Sequence, residues 1–163
     1  MTESSDDLPA ALQALRSRPL FVLRLAVSGI HAAGGPAGAE RRLGVVSGGS
    51  FAGERLSGIV LDGGADWQLL RSDGATLLDV RLVLQTDDGA LIGMTYDGIR
   101  HGPPEVMERI ARGETVDPDS YYFRSAARFT TSDARYAWLN RVIAIGAGHR
   151  AATGPVYSLF EIL

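Results

Sequence analysis

The sequence predicts an all-β protein: a closed antiparallel β-barrel of calycin-like architecture with about 8–10 strands, one short capping helix and a short N-terminal helix. Three observations carry this. From Val45 onward the chain is a series of short runs rich in Val, Ile, Leu and aromatics. Those runs are punctuated by Gly-Gly at 48–49 and 63–64 and by Asp-Gly at 73–74, 88–89 and 97–98. Asp-Gly between apolar runs signals a hairpin, because a type I′ turn needs positive φ at both central residues. The connections between 62 and 98 are too short for helical crossovers, so this part of the sheet is an antiparallel meander. Finally, 163 residues suit one domain, and closing the sheet removes the edges that so many strands would expose.

The elements follow in order. Residues 5–18 predict a short helix, with Asp6 or Asp7 as cap, Pro9 in the first turn, and Leu8, Leu12 and Leu15 on one face. Residues 1–19 are therefore an extension, and 20–163 form the barrel domain. FVLRLAVS (21–28) reads as the first strand. GIHAAGGPAGAERRLG (29–44) has no periodicity and reads as a long surface loop or flap. VVSGGSFAG, RLSGIVLD, DWQLLRS, TLLDVRLVLQT and ALIGMTY continue the sheet. Pro103 and Pro104 then open a helix with Val106, Met107 and Ile110 as its apolar stripe and Gly113 just beyond its end. It is placed to plug one end of the barrel. After the Asp117-Pro118 turn, YYFRSAARFT, YAWLNRVIAIG and PVYSLFEI complete the strands.

Composition removes several chemistries. Cysteine is absent, which excludes disulfides, thiolate metal ligands and a Cys nucleophile. All 16 basic residues are Arg, so there is neither a Schiff-base lysine nor a Walker-type phosphate loop. The net charge of −3 offers no bulk attraction to nucleic acid or anionic membrane. MTESSDD begins acidic, unlike a signal peptide, and no stretch approaches the roughly 20 apolar residues of a span. A cytoplasmic protein with no nucleic-acid or membrane partner is expected. His31, His101 and His149 lack ligand spacing, so no metal and no other cofactor is expected. GxSxG is missing, and GAGHR (146–150) lacks the rest of a dinucleotide fingerprint.

Strand alternation supplies the candidate site. In 76–86, Leu78, Val80, Leu82 and Leu84 share one face, and Asp79, Arg81, Val83 and Gln85 the other. An Asp and an Arg two residues apart in an aliphatic strand, with Asp66, Gln68 and Tyr96 on neighbouring strands, suggest polar groups converging inside the barrel.

GGSFAGERLSGIVLDGGADWQ (48–68), LDVRLVLQTDDGALI (78–92), GIRHGP (98–103), YYFR (121–124), RF (128–129) and YAWLNR (136–141) resemble the DUF3237 family, also called UPF0311. The resemblance spans residues 20–163. It implies a small β-barrel protein and leaves the activity open. The motif positions suited to line a pocket are Asp66, Trp67, Gln68, Asp79, Arg81, Tyr96, Arg100, His101, Tyr122, Arg124, Tyr136, Trp138 and Asn140.

Of these, Asp79, Asp66, Arg81 and His101 are the catalytic candidates, and the others are candidates for substrate binding. The leading reading is cofactor-independent acid–base chemistry of isomerase, cyclase, hydratase or lyase type on a small aromatic or polyketide-like carbonyl compound. Asp66 or Asp79 moves a proton, while Arg81, Arg124 and a Tyr hold oxyanion character. The alternatives are a non-catalytic barrel carrying an apolar or aromatic ligand, and a structural module with a filled barrel. A homo-dimer or higher oligomer is expected, because the N-terminal helix has little to cover its leucines.

Overall fold

The computed structural model describes residues 8–163. Nine strands form one closed antiparallel sheet: β1 (Ser17–Gly34), β2 (Ala39–Ala52), β3 (Ser57–Val60), β4 (Gly64–Arg71), β5 (Thr76–Thr86), β6 (Leu91–His101), β7 (Tyr122–Thr130), β8 (Ala144–Ala151) and β9 (Gly154–Ile162). Their order is β1-β9-β8-β7-β6-β5-β3-β2-β4, closed by β1–β2 and β5–β4 pairing. Both β3 and β4 lie between β2 and β5. β3 pairs with Gly49–Ala52 at one end, and β4 pairs with Ala39–Val46 at the other. They are two halves of one stave, so the barrel has eight staves, the number whose interior side chains can fill or that can hold one small ligand.

The middle of the barrel is filled. Leu23, Val46, Val80, Leu84, Ile92 and Leu159 are essentially inaccessible to solvent. No helix among the described residues is long and apolar enough to cross a membrane.

Five expectations are corrected. The N-terminal helix shrinks to α1 (Ala10–Gln13), with Leu12 and Leu15 exposed; Asp6 and Asp7 lie outside the described residues. Too short to hold itself together, it yields to β1, which begins at Ser17. The expected loop at 29–44 is instead the far end of a long hairpin. Gly29 faces Val45 and His31 faces Leu43 across the ladder, and only Gly35–Gly38 connect the strands. Cross-strand pairing overrides the low β-propensity of Gly and Ala.

Residues 134–141 are a 3₁₀ helix rather than strand (Ala134–Arg141). Asp133 caps it by accepting from the Arg135 N–H at 3.0 Å, and Leu139 plugs that end of the barrel. Asp97-Gly98 is not a turn either: both residues sit within β6, opposite Asp79 and Leu78. The turns at 73–74 and 88–89 form, but with positive φ at the glycine alone. The Gly74 N–H donates to the Arg71 carbonyl and the Arg71 N–H to that of Ala75; Thr86, Gly89 and Ala90 repeat the pattern. Each is a type I turn followed by a left-handed glycine, the other common hairpin solution.

The second helix stands where expected. α2 (Pro104–Ala111) follows β6 with Ile110 buried, and Gly113 is left-handed just past its end.

Candidate functional site at the barrel mouth

Strand alternation brings a polar set to one end of the barrel, beneath α2. Arg42 and Gly44 of β2 face Gln68 and Asp66 of β4 across the ladder. Next around the wall, Thr76 and Leu78 of β5 pair with Arg100 and Gly98 of β6. Arg100 in turn pairs with Phe123 of β7. Arg150 of β8 and Tyr157 of β9 close the ring. Together with Met107 and Ile110 of α2, these residues other than Gly98 line a cavity of about 350 Å³.

Its floor is aromatic. The Tyr157 ring meets both Tyr96 and Phe123 edge-to-face at 5.2 Å. Gly148 makes room for this: a Cβ there would lie 2.7 Å from the Phe123 ring.

One hydrogen-bonded chain orders the polar wall. Arg42 Nε donates to Gln68 Oε1 at 2.6 Å, and Gln68 Nε2 donates to Asp66 Oδ2 at 2.6 Å. Because the Arg42 bond occupies the Gln68 carbonyl oxygen, the amide NH₂ is directed at the carboxylate. Asp66 Oδ1 is buried and has no hydrogen-bond partner among the described residues. The same holds for Arg100 Nε, on a side chain only 7% exposed whose guanidinium lies 5.5 Å from the Phe123 ring centre.

Two such atoms on one cavity wall each carry a desolvation cost of about 1–3 kcal/mol unless something pairs with them. Burial raises the Asp66 carboxyl above the ordinary Asp range, and the Gln68 bond and the Arg100 and Arg42 charges only partly oppose it. Burial also lowers Arg42 and Arg100. The Tyr96 and Tyr157 phenols are pushed well up by burial, so they stay neutral.

Of the residues singled out in the sequence, Asp66, Gln68 and Arg100 meet at this cavity, and Tyr96 lies beneath its floor. The others do not. Asp79 and Arg81 point outward, 52% and 77% exposed, 3.9 Å apart. Leu78, Val80, Leu82 and Leu84 take the inner face of β5, and burying an ion pair among them would cost more than the contact returns. Trp67, between Asp66 and Gln68, also faces out.

His101 stacks on Tyr122 outside the barrel, with ring centres 5.1 Å apart. Arg124 reaches over Tyr122 and donates to the Phe123 carbonyl. Tyr136, Trp138 and Asn140 belong to the 3₁₀ helix at the opposite end. There Tyr136 donates to Asp88, Trp138 packs under Arg55, and Asn140 Oδ1 accepts from the Thr131 N–H.

Arg42, Arg150 and Tyr157 were not anticipated. Arg42 lies in the stretch expected to be a loop, and Arg150 in GAGHR, which the sequence marks only as an incomplete dinucleotide fingerprint. By alternation Arg42 shares a strand face with Gly44, and Arg150 one with Gly148, but neither spacing marks that face as the inner one.

Residues 15–162 match the family described as "Protein of unknown function (DUF3237)". The chain belongs to the DUF3237 family. A UPF0311 protein of Rhodopseudomonas palustris is 34% identical over 149 residues, covering 91% of this chain and 97% of that protein. Its UPF0311 relative in Clostridium acetobutylicum is 35% identical over 123 residues, 76% and 78% of the two chains. The solved structure of the R. palustris protein superimposes on this DUF3237 barrel with a TM-score of 0.88, over 92% of this chain and 99% of that one. A β-barrel-like protein of Acinetobacter baumannii is 34% identical with a TM-score of 0.81, covering 95% of this chain and all of that one. A protein described as an enzyme from Penicillium herquei shares the fold at a TM-score of 0.71, 23% identity, 96% of this chain and all of that one.

Proposed function

We propose that the barrel mouth performs cofactor-independent acid–base chemistry on a small aromatic carbonyl compound, with Asp66 moving the proton. The observation that carries this reading is Asp66 Oδ1, a buried and unpaired carboxylate oxygen on the wall of a cavity. Its burial-raised pKa brings it nearer the working range of a general base. In the step envisaged, a C–H bond next to a carbonyl breaks and its proton passes to Asp66. The electron pair moves to the carbonyl oxygen, where an arginine of the ring stabilises the enolate. Return of the proton to a different carbon is isomerisation, and expulsion of a neighbouring group is elimination. Asp66 thus takes the role first shared with Asp79, and Arg100, Arg42 and Arg150 take that of Arg81 and Arg124.

The test does not require the natural substrate. A panel of aryl and bicyclic ketones is incubated with the protein in D₂O, and loss of the α C–H signal is followed by proton NMR. The reading expects accelerated exchange by the wild type and loss of that acceleration in Asp66→Asn, with ketone binding retained. No acceleration across the panel, or equal rates in the variant, rejects it. Binding without exchange supports the second reading, a non-catalytic ligand barrel, which the apolar lining of Leu78, Met107, Ile110 and Phe123 favours.

A further inference from the structure

The geometry points to an organic monoanion as the ligand of this cavity: a small aromatic carboxylate held among Arg42, Arg100 and Arg150. The inference rests on reading the cavity as a ligand site, and it follows from a count of charges. Three guanidinium-bearing side chains line the cavity, from β2, β6 and β8, and the carboxyls lining it with them are Asp66 and, on the exposed face of α2, Glu108. Among the described residues every ion pair of an arginine involves Arg18, Arg55, Arg71, Arg81, Arg109, Arg112 or Arg135. None involves the three at the mouth.

Asp66 is also the weaker half of the balance, because burial favours its neutral form. Asp66 and a developing enolate oxygen share a single negative charge, because the proton that leaves the carbon neutralises the carboxylate, so together they balance one of the three positive charges. A permanent negative charge on the ligand answers a second, and Glu108 at the exposed rim answers the third. Arg100 is the strongest single witness, since its side chain is nine-tenths buried with Nε unpaired. An uncompensated cation in such a place is costly, and a carboxylate can accept two parallel N–H bonds from a guanidinium.

The arginines are held in place by more than their own side chains. Arg42 is tied to Gln68 through Nε. The Tyr121 hydroxyl accepts from the Arg150 backbone N–H at 2.8 Å and lies 3.0 Å from His149 Nδ1, which anchors the strand end that carries Arg150. The volume, about 350 Å³, is at the small end of ligand pockets, and its apolar walls suit a ring system rather than a sugar. Asp66 on the same wall disfavours a dianion such as a phosphate monoester.

The test is an NMR titration of ¹⁵N-labelled protein with 2-naphthoate, 2-naphthamide and phenyl phosphate. The expectation is that naphthoate binds, shifts the amides around Arg42, Gln68 and Arg150, and binds at least about tenfold tighter than the neutral amide. Its affinity should fall as salt rises. Arg100 is buried, so its replacement risks the fold. Arg150→Gln and Arg42→Gln carry the test instead, each expected to weaken naphthoate about tenfold while leaving naphthamide unchanged.

Equal binding of acid and amide, tighter binding of phenyl phosphate, shifts confined elsewhere, or no naphthoate binding would each overturn the inference. Its fate separates from that of the acid–base reading. Naphthoate binding without Asp66-dependent exchange leaves the anion site and removes the catalysis. Exchange on neutral ketones without naphthoate binding does the reverse.

Discussion

The side-chain amide of Gln68 donates to Asp66 Oδ2 at 2.6 Å, while the other carboxylate oxygen of Asp66 is buried without a partner. One residue thus has an oxygen that is held and an oxygen that is free, on the wall of a cavity. The Gln68 bond is also the largest influence opposing the effect of burial on the Asp66 carboxyl. Replacing Gln68 by Leu should therefore raise the Asp66 titration midpoint further. Carboxyl-carbon NMR of the wild type and variant checks it; an unchanged midpoint would show that the bond does not bias the charge state.

Stability should report the same carboxyl with the opposite sign from a surface Asp. The folded-state pKa of Asp66 is raised, so its protonated form is the better tolerated one. Its favourable contribution is present below the unfolded Asp pKa and is lost as pH rises through the raised value. Asp66→Asn should consequently melt at or above the wild type near neutral pH, and that advantage should shrink at acid pH. Thermal melts across this range decide it, and a variant less stable at pH 7 than at pH 3, each relative to wild type, contradicts the sign.

At the opposite end of the barrel the logic reverses. Glu161 is buried and bonded to both Arg18, at 2.8 Å, and Arg55. The Arg18 bond first, then Arg55, holds its carboxyl below the ordinary Glu range. Its contribution is present above the unfolded Glu pKa and is lost as pH falls through the depressed one. Glu161→Gln should cost about 1–3 kcal/mol at neutral pH and less in acid, read by urea denaturation at both pH values.

Gly148→Ala drives a methyl group into the Phe123 ring. Overpacking of this kind costs about 1–3 kcal/mol. Here it should also push the ring into the cavity and weaken binding of any ligand found by the titrations above. A variant with lower melting temperature but unaltered affinity would separate the floor from the site.

Asp79→Asn and Arg81→Ala provide the contrast. Both side chains are exposed and their separation of 3.9 Å makes a weak surface pair. Stability should change by less than about 0.5 kcal/mol, and ketone exchange should be unaffected. A large loss in either assay would mean that the outer face of β5 carries a function of its own.

The barrel was legible because its evidence is local. Apolar runs, the glycines at 74 and 89, and the double proline before α2 are each read within a few residues. Half of the mouth was legible for the same reason: Asp66 and Gln68 share a strand face by alternation. The error lay in assigning that face for β5. Alternation separates Asp79 from Leu78 with certainty but does not say which side is the interior, and the inner side belongs to whichever face buries more apolar surface. In β5 that is the leucine face. In β4 that rule fails: the face carrying Asp66 and Gln68 turns inward and Trp67 outward, because the ladder registers with β2 and β5 fix which face of β4 is inside.

From sequence alone came the fold class, the absence of cysteine and lysine chemistry, and the position of the capping helix, all consequences of composition and short-range periodicity. Only the tertiary structure decided that Arg42, Arg100 and Arg150 face one cavity with Asp66. These residues are separated by as many as 108 positions in the chain (150 − 42). They meet through the ladder registers of a closed sheet, and register is set jointly by every strand around the barrel.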